Sequence, residues 1–336
     1  MSLCAKILVA ATAAAALCFG APRLAAQAQG VGEQEFAPYG FDLSISELIR
    51  LERLNAAVRY DAAEVVEESW LGSYDRVTVI DVPSTKGRYA LFEDDKARRM
   101  DIAIRGTSNL KNTAFDLEFL KKRSERLGIN LHSGFETSAL AIYADLRPRL
   151  KEGYALRIAG HSLGAAVAII LGMLLESDGI SVEKVLASAP PKVTDAAGWA
   201  RYSALEVIRV ACPYDPVPFL PPTSLMYGKD PYIQGGKVLF LLRGTRFTVL
   251  EGSYYDDLPD AVKSAFAQGK SFGAAEHRLP AYLARVIPKE SGFTFIDAAE
   301  WERYERRSDS DRAPQPSHEA SILSILSLFQ RFAAHP

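Results

Sequence analysis

Cysteine is scarce in this chain. There are 3 in 336 residues, and two of them, Cys4 and Cys18, stand near the start. There, Lys6 is followed by an apolar run from Ile7 to Phe19 and then by small residues ending Ala26-Gln27-Ala28. A positive start, a short apolar core and an A-x-A site mark residues 1–28 as a secretory signal peptide. Cleavage is expected after Ala28, and the destination is secreted or periplasmic. The apolar run is short for a bilayer span, and Leu17 before Cys18 is not the small residue that lipidation requires. Only Cys212 is then left, so an internal disulfide is excluded and the fold must be held by its core.

An excess of one charge is also lacking: 39 Lys and Arg stand against 41 Asp and Glu. Loss of Lys6 and Arg23 with the signal makes the balance slightly more acidic. Nothing here favours a nucleic-acid partner. No repeat of solenoid length is visible, and neither a cofactor nor a metal is expected. Apolar residues make up 48% of the chain, ample for one large core. Residues 29–304 read as a single domain, 305–317 as a charged, Pro-rich linker, and 318–336 as a C-terminal amphipathic segment.

Against these absences stands one informative stretch, Ala155–Ala168, ALRIAGHSLGAAVA. A short run of strand character, Ala155 to Ala159, leads into Gly160-His161-Ser162-Leu163-Gly164, and Leu163 to Leu175 continues as a helix. A G-x-S-x-G between a strand and a helix pushes the serine out at the top of a sheet. A side chain at either glycine would collide with the neighbouring strand or helix. The helix that follows points backbone N–H groups at any anion formed there.

The flanking chain supports that setting. Ser44-x-x-Glu47 is a capping box, with Ile45, Leu48, Ile49, Leu51 and Leu54 behind it in helical spacing. Arg76–Val82 and Arg88–Glu93 read as strands around a turn, and Met100–Ile104 as a central strand apolar on both faces. His132-Ser133-Gly134-Phe135 leads into a helix to about Leu150. Strands follow at Val182–Ala189 and Leu205–Cys212, then later edge strands at Tyr232–Leu241 and Arg246–Glu251. Leu258–Gln268 and His277–Val286 look helical. Alternating β and α segments imply a mostly parallel sheet with helices on both faces, on which a G-x-S-x-G turn is the α/β-hydrolase arrangement.

A serine hydroxyl needs a base to become a nucleophile, and the chain has 5 histidines. In this architecture the order is Ser, acid, His. His132 and His161 precede Ser162, and His318 and His335 lie in the tail, which leaves His277. Acid candidates between the two are Asp178, Asp195, Asp215, Asp230, Asp256, Asp257 and Asp260. Asp215 is favoured, because it lies just past an apolar strand in a loop stiffened by Pro213, Pro216 and Pro218. Oxyanion donors are expected from the N–H of Leu163 and from Thr107, at the end of an earlier strand.

Ile104-Arg105-Gly106-Thr107, Asp116-Leu117-Glu118-Phe119, His132-Ser133-Gly134-Phe135, the Ser162 motif, Asp215-Pro216-Val217-Pro218 and Glu276-His277 occur in that order. On these pieces the chain, from about Leu54 to Leu283, resembles the class 3 lipases, a family of secreted fungal and bacterial α/β-hydrolases. The resemblance implies Ser162, Asp215 and His277 as a catalytic triad, with Thr107 and Leu163 as the oxyanion hole. It also implies a lid between Thr107 and Asp116 that includes Leu110 and Phe115, and a structural role for His132. Ala165 stands where the family usually has glycine, and Thr113 where it often has Trp.

The expected activity is serine-dependent hydrolysis of lipid esters through an acyl-enzyme. A phospholipase A or an acyltransferase would use the same triad. A non-catalytic lipid-binding scaffold would have no use for all three residues. In the tail, Ile322, Ile325, Leu326, Phe329 and Phe332 recur at helical spacing. They could contact a lipid surface peripherally or dock on the protein itself.

Overall fold

The apolar runs at Met100, Ala155, Val185 and Val207 become the parallel centre of a nine-stranded sheet. The computed structural model describes residues 35–60, 73–106, 121–221, 230–256 and 275–305. Expectations for the signal peptide, Thr107, the lid residues Leu110, Phe115 and Asp116, the helix at 258–268, the linker and the C-terminal segment lie outside them.

In chain order, helix α1 (Ile45–Ala57) precedes strands β1 (Arg76–Val82), β2 (Gly87–Asp94) and β3 (Arg99–Ile104). Two short strands, β4 (Lys121–Arg123) and β5 (Asn130–His132), lead into α2 (Ser133–Leu146). Next come β6 (Ala155–His161), α3 (Leu163–Ser177), β7 (Lys184–Ser188), α4 (Ala196–Arg201) and β8 (Val207–Ala211). The described chain continues with β9 (Lys237–Leu241), β10 (Arg246–Glu251), α5 (Leu279–Val286), β11 (Thr294–Phe295) and α6 (Trp301–Glu305). The sheet order is β1-β2-β3-β6-β7-β8-β9-β10-β11. Strands β3, β6, β7, β8 and β9 pair in parallel, and antiparallel strands flank them. The serine-bearing strand β6 is thus covered on both edges. This mostly parallel sheet is the expected one. The edge position expected for the later strands is not: β9 is interior, and β10 is covered by the two-residue β11.

Alternation along the strands splits the core between two faces. Ile102, Ile104, Ile158, Val185 and Ala187 meet α2 and α3 on one side, where Ala165 to Leu175 are buried. Ala103, Ala159, Leu186, Ile208 and Val210 meet α1 and α5 on the other. Helix α1 begins directly after its N-cap Ser44, whose Oγ accepts the Glu47 N–H at 3.2 Å. Parallel strands buried on both faces read as largely apolar runs, but buried charged residues interrupt them: Asp101 in β3, Arg157 in β6, Lys184 in β7 and Arg209 in β8. Asp101, expected to be part of an apolar strand, is a fully buried charge. Arg157 on neighbouring β6 bonds both its oxygens, from Nε and Nη2, each at 2.6 Å.

The glycines of the turn after β6 are sterically required. A Cβ on Gly160 would lie 2.2 Å from the Gly164 carbonyl oxygen, and one on Gly164 would lie 2.3 Å from that of Ile104. Ser162 between them sits at φ +61°, ψ −127°. A non-glycine residue keeps such a conformation only when its surroundings over-determine it.

Candidate active site

Ser162, Asp215 and His277 come from three separate loops at the C-terminal ends of the strands. Ser162 follows β6, Asp215 follows β8, and His277 precedes α5. Their side chains form one line. His277 Nε2 is 2.8 Å from Ser162 Oγ, and His277 Nδ1 is 2.9 Å from each Asp215 carboxylate oxygen. A carboxylate only accepts, so Nδ1 carries the proton and Nε2 is left to accept the serine hydroxyl. All three residues are at least nine-tenths buried. The strand–turn–helix around Ser162, with acid and base in this order and at these distances, decides the comparison with known proteins.

Residues 102–225 match the class 3 lipase family. The matched segment contains Ser162 and Asp215, while His277 lies beyond it. Secreted mono- and diacylglycerol lipase A of Penicillium cyclopium is 33% identical over 155 residues, covering 44% of this chain and 50% of that protein. Secreted mono- and diacylglycerol lipase 1 of Fusarium solani is 27% identical over 161 residues, covering 45% and 48%. The chain spans about half the length of the curated relatives it matches. Among solved structures, lipase II from Rhizopus niveus superposes with a TM-score of 0.51 at 20% identity, over 60% of this chain and 83% of that one. A mutant of MDLA from Penicillium cyclopium reaches the same TM-score, 0.51, at 24% identity, over 66% and 95%. These likenesses establish the α/β-hydrolase-type lipase fold.

Within this class 3 lipase-like site, two of the other candidate acids are engaged elsewhere. Asp178 accepts from Arg126 at 2.6 Å and from the Tyr143 hydroxyl. Asp195 caps α4 by accepting the Gly198 N–H at 3.1 Å. Asp230 is exposed, Asp256 is half-buried, and Asp257 and Asp260 lie outside the described residues. Among the described residues, Asp215 alone of these acids faces an imidazole.

Two further donors hold Asp215. The Val217 N–H reaches Oδ1 at 2.9 Å, and the Tyr282 hydroxyl reaches Oδ2 at 2.7 Å. Burial first, and Asp215 second, push the Tyr282 phenol well above its ordinary value, so it stays a donor. Tyr282 was not among the expected site residues; it lies five positions after His277, on α5. The neighbouring Glu276 carboxylate accepts from Arg285 Nη2 at 3.0 Å, which pins the start of the His277 segment to the same helix.

His161 is a buried aromatic support. Its ring centroid is 5.0 Å from that of His277 and 5.2 Å from that of Tyr282. Burial, then the neighbouring His277, lower its pKa well below the usual histidine value, so it packs as a neutral ring. His132 stacks on Phe135 with centroids 3.9 Å apart, and burial lowers its pKa to about 4. It takes no part in the Ser162 line.

Of the expected oxyanion donors, Leu163 is the first residue of α3, where amides have no acceptor within the helix. Thr107 lies just past the described residues. The preceding Gly106 packs directly on the turn, where a Cβ on it would sit 2.5 Å from the His161 carbonyl oxygen. No group of three or more His, Cys, Asp or Glu able to hold a metal ion occurs among the described residues.

Proposed function

We propose that this protein is an exported serine carboxyl-ester hydrolase acting on lipid esters, in the manner of a triacylglycerol lipase. The observation that carries the reading is the unbroken hydrogen-bond line Ser162–His277–Asp215. In this mechanism His277 Nε2 takes the Ser162 proton as Oγ attacks the ester carbonyl. Asp215 keeps the proton on Nδ1 and stabilises the imidazolium that forms. The N–H of Leu163 and Thr107 hold the oxyanion. His277 then protonates the leaving alcohol, and water, activated by the same imidazole, releases the acid.

The secreted mono- and diacylglycerol lipases among the relatives support a glycerolipid ester as substrate and support export. Residues 1–28 would be the signal, 29–304 the catalytic domain, with Leu110, Phe115 and Asp116 in its lid, and 305–317 a linker. The 318–336 segment would be a peripheral lipid contact. Deleting the chain after Ala313 tests the last point: vesicle binding should fall while the melting temperature and the rate on soluble esters hold.

The deciding experiment measures release of p-nitrophenol from esters of graded chain length, alongside release of fatty acid from mono-, di- and triacylglycerol emulsions. Wild type should hydrolyse both kinds of substrate, and Ser162→Ala should hydrolyse neither. Turnover of phospholipid alone would move the assignment to a phospholipase. A wild-type protein inert to all esters and to serine-directed fluorophosphonate would end the hydrolase reading.

A further inference from the structure

Helix α1 turns Ile45, Leu48, Ile49, Leu51 and Leu54 into the core, and within that stripe stand Glu52, 0% exposed, and Asn55, 2% exposed. The Ser188 hydroxyl donates to Glu52 Oε1, and Asn55 Nδ2 lies 3.3 Å from Oε2. Among the described residues these are the polar partners of the carboxyl, and no cation offsets it. An unpaired buried carboxylate costs several kcal/mol, and burial pushes the Glu52 pKa up to about 7. Both partners as placed donate to the carboxyl and so favour its charged form, but burial outweighs them. Asn55 Oδ1 has no partner while Nδ2 faces Glu52. For the neutral acid to donate, the Asn55 amide must be turned over so that Oδ1 accepts the carboxyl O–H, while the other carboxyl oxygen still accepts from Ser188.

Ser188 leads from this cluster to the site. It ends β7, and its carbonyl accepts the Ser162 N–H at 2.9 Å. It is followed by Ala189 at φ +51°, a second left-handed residue without the freedom of glycine. The main chain on which Ser162 hangs is therefore braced against a residue whose side chain is tied to α1. A leucine at position 52 would continue the apolar stripe but leave the buried Ser188 hydroxyl and Asn55 amide without this partner.

We propose that Glu52, as a carboxylic acid, is a positioning residue for the nucleophile: it fixes Ser188, and Ser188 fixes the Ser162 backbone. This rests on the reading of Ser162 as nucleophile. The full chain is compared as wild type, Glu52→Gln, Glu52→Leu, Ser188→Ala and the double variant Glu52→Leu/Ser188→Ala. Active sites are counted with a fluorophosphonate, and kcat and KM are measured on a soluble p-nitrophenyl ester. Glu52→Gln can still accept from Ser188 and donate to Asn55, so it should keep kcat within about twofold. Glu52→Leu and Ser188→Ala should each lower kcat per counted site about tenfold with KM nearly unchanged, because small misplacements of a reacting group act on the chemical step. The double variant should be no worse than either single.

Unchanged kcat in Ser188→Ala, or additive losses in the double variant, would overturn the proposal and leave Glu52 a packing residue. A Glu52→Gln protein as slow as Glu52→Leu would overturn the neutral-acid form of it. If Glu52→Leu does not fold, Ser188→Ala and Glu52→Gln still decide, because the proposal requires the first to be slow and the second to be normal. Ser162→Ala runs alongside. If it turns over and takes up label like wild type, the nucleophile reading fails, whatever the Glu52 variants do.

Discussion

Asp101, inside strand β3, and Asp215, in the loop after β8, are both buried, yet they are stabilised by opposite means. Asp101 meets full positive charge. Arg157 bonds both its oxygens, and the same guanidinium reaches Glu47 at 2.7 Å, which also lies 3.1 Å from Lys184. Asp215 meets neutral donors: an imidazole N–H, the Val217 amide and the Tyr282 hydroxyl. Among the described residues no Lys or Arg forms an ion pair with it. On the proposed mechanism, the difference follows from what each must do. A guanidinium on Asp215 would spend its charge in the resting state. Neutral donors hold the carboxylate in place and leave its charge available when His277 becomes an imidazolium. The Arg157 network has no such change to accommodate, so permanent pairing costs it nothing in function.

If that contrast holds, damage on the two sides should read out differently. The largest effect belongs to the triad. Ser162→Ala, His277→Ala or Asp215→Asn should each lower kcat by on the order of 10⁴-fold or more, and combining them should add little, because the residues act as a unit. Melting temperatures should stay close to wild type. An Asp215→Asn protein with near-normal turnover would detach Asp215 from the chemistry. On the other side, Arg157→Met should cost roughly 3–5 kcal/mol of stability, since it removes the cation that bonds both Asp101 oxygens, leaving Asp101 with Arg99 at 3.7 Å as its cation and Glu47 with Lys184. Urea titration gives that number. Esterase activity per folded molecule, counted by active-site titration, should be unchanged. A large loss of kcat with intact stability would show that the network belongs to the site.

Glu52 lies between the two cases: among the described residues no cation offsets it, and the two side chains that donate to it are outweighed by its burial. Its pKa is raised by burial to about 7 from 4.5. The folded state therefore holds a proton that the unfolded state has lost, and this group's contribution to stability falls as pH rises from about 4.5 to about 7. Glu52→Gln removes that loss. The variant should match wild type near pH 4.5 and exceed it by on the order of 2–3 kcal/mol above pH 7. Denaturant midpoints at the two ends of the window check the sign. A variant less stable than wild type at pH 8 would mean that the carboxylate, not the acid, is the folded form.

These three carboxyl groups were not equally legible in the sequence. Asp215 was readable because histidine is scarce: once His277 is singled out by chain order, the acid must lie between it and Ser162, and the proline-framed loop is the natural place. The central strands were readable from apolar runs, and the tight turn from its two glycines. Asp101 was hidden inside one of those runs, because a charge in a central strand is visible only when the partner from the next strand, Arg157, is known to face it. Strand order itself, and hence the interior position of β9, depends on pairings that no local pattern encodes. Glu52 did leave a trace. It falls on the apolar stripe of α1, four residues after Leu48 and three after Ile49, where a solvated glutamate has no reason to be. Tyr282 left none, since a tyrosine on the buried face of a short helix reads as ordinary core.

Tyr282 provides the smallest and most discriminating comparison, because Asp101 has a tyrosine too. The Tyr74 hydroxyl donates to Asp101 Oδ2, as Tyr282 donates to Asp215 Oδ2. Phenylalanine at either position removes one hydroxyl and nothing else of size. A hydrogen bond to a charged group is worth roughly 1.5–3 kcal/mol, so both variants should lose stability of that order. Their kinetics should part. Without the Tyr282 hydroxyl, the Asp215 charge is less dispersed and pulls harder on the Nδ1 proton, which favours the imidazolium form of His277. The base is then protonated to a higher pH, and the acid limb of kcat/KM should move upward. Tyr282→Phe should therefore be slower than wild type below neutral pH by up to about tenfold and recover as pH rises, while Tyr74→Phe keeps the wild-type profile. A shared profile for both variants would mean that the two carboxylates are held for the same purpose. A downward shift in Tyr282→Phe would mean that the hydroxyl acts on His277 by some route other than the charge of Asp215.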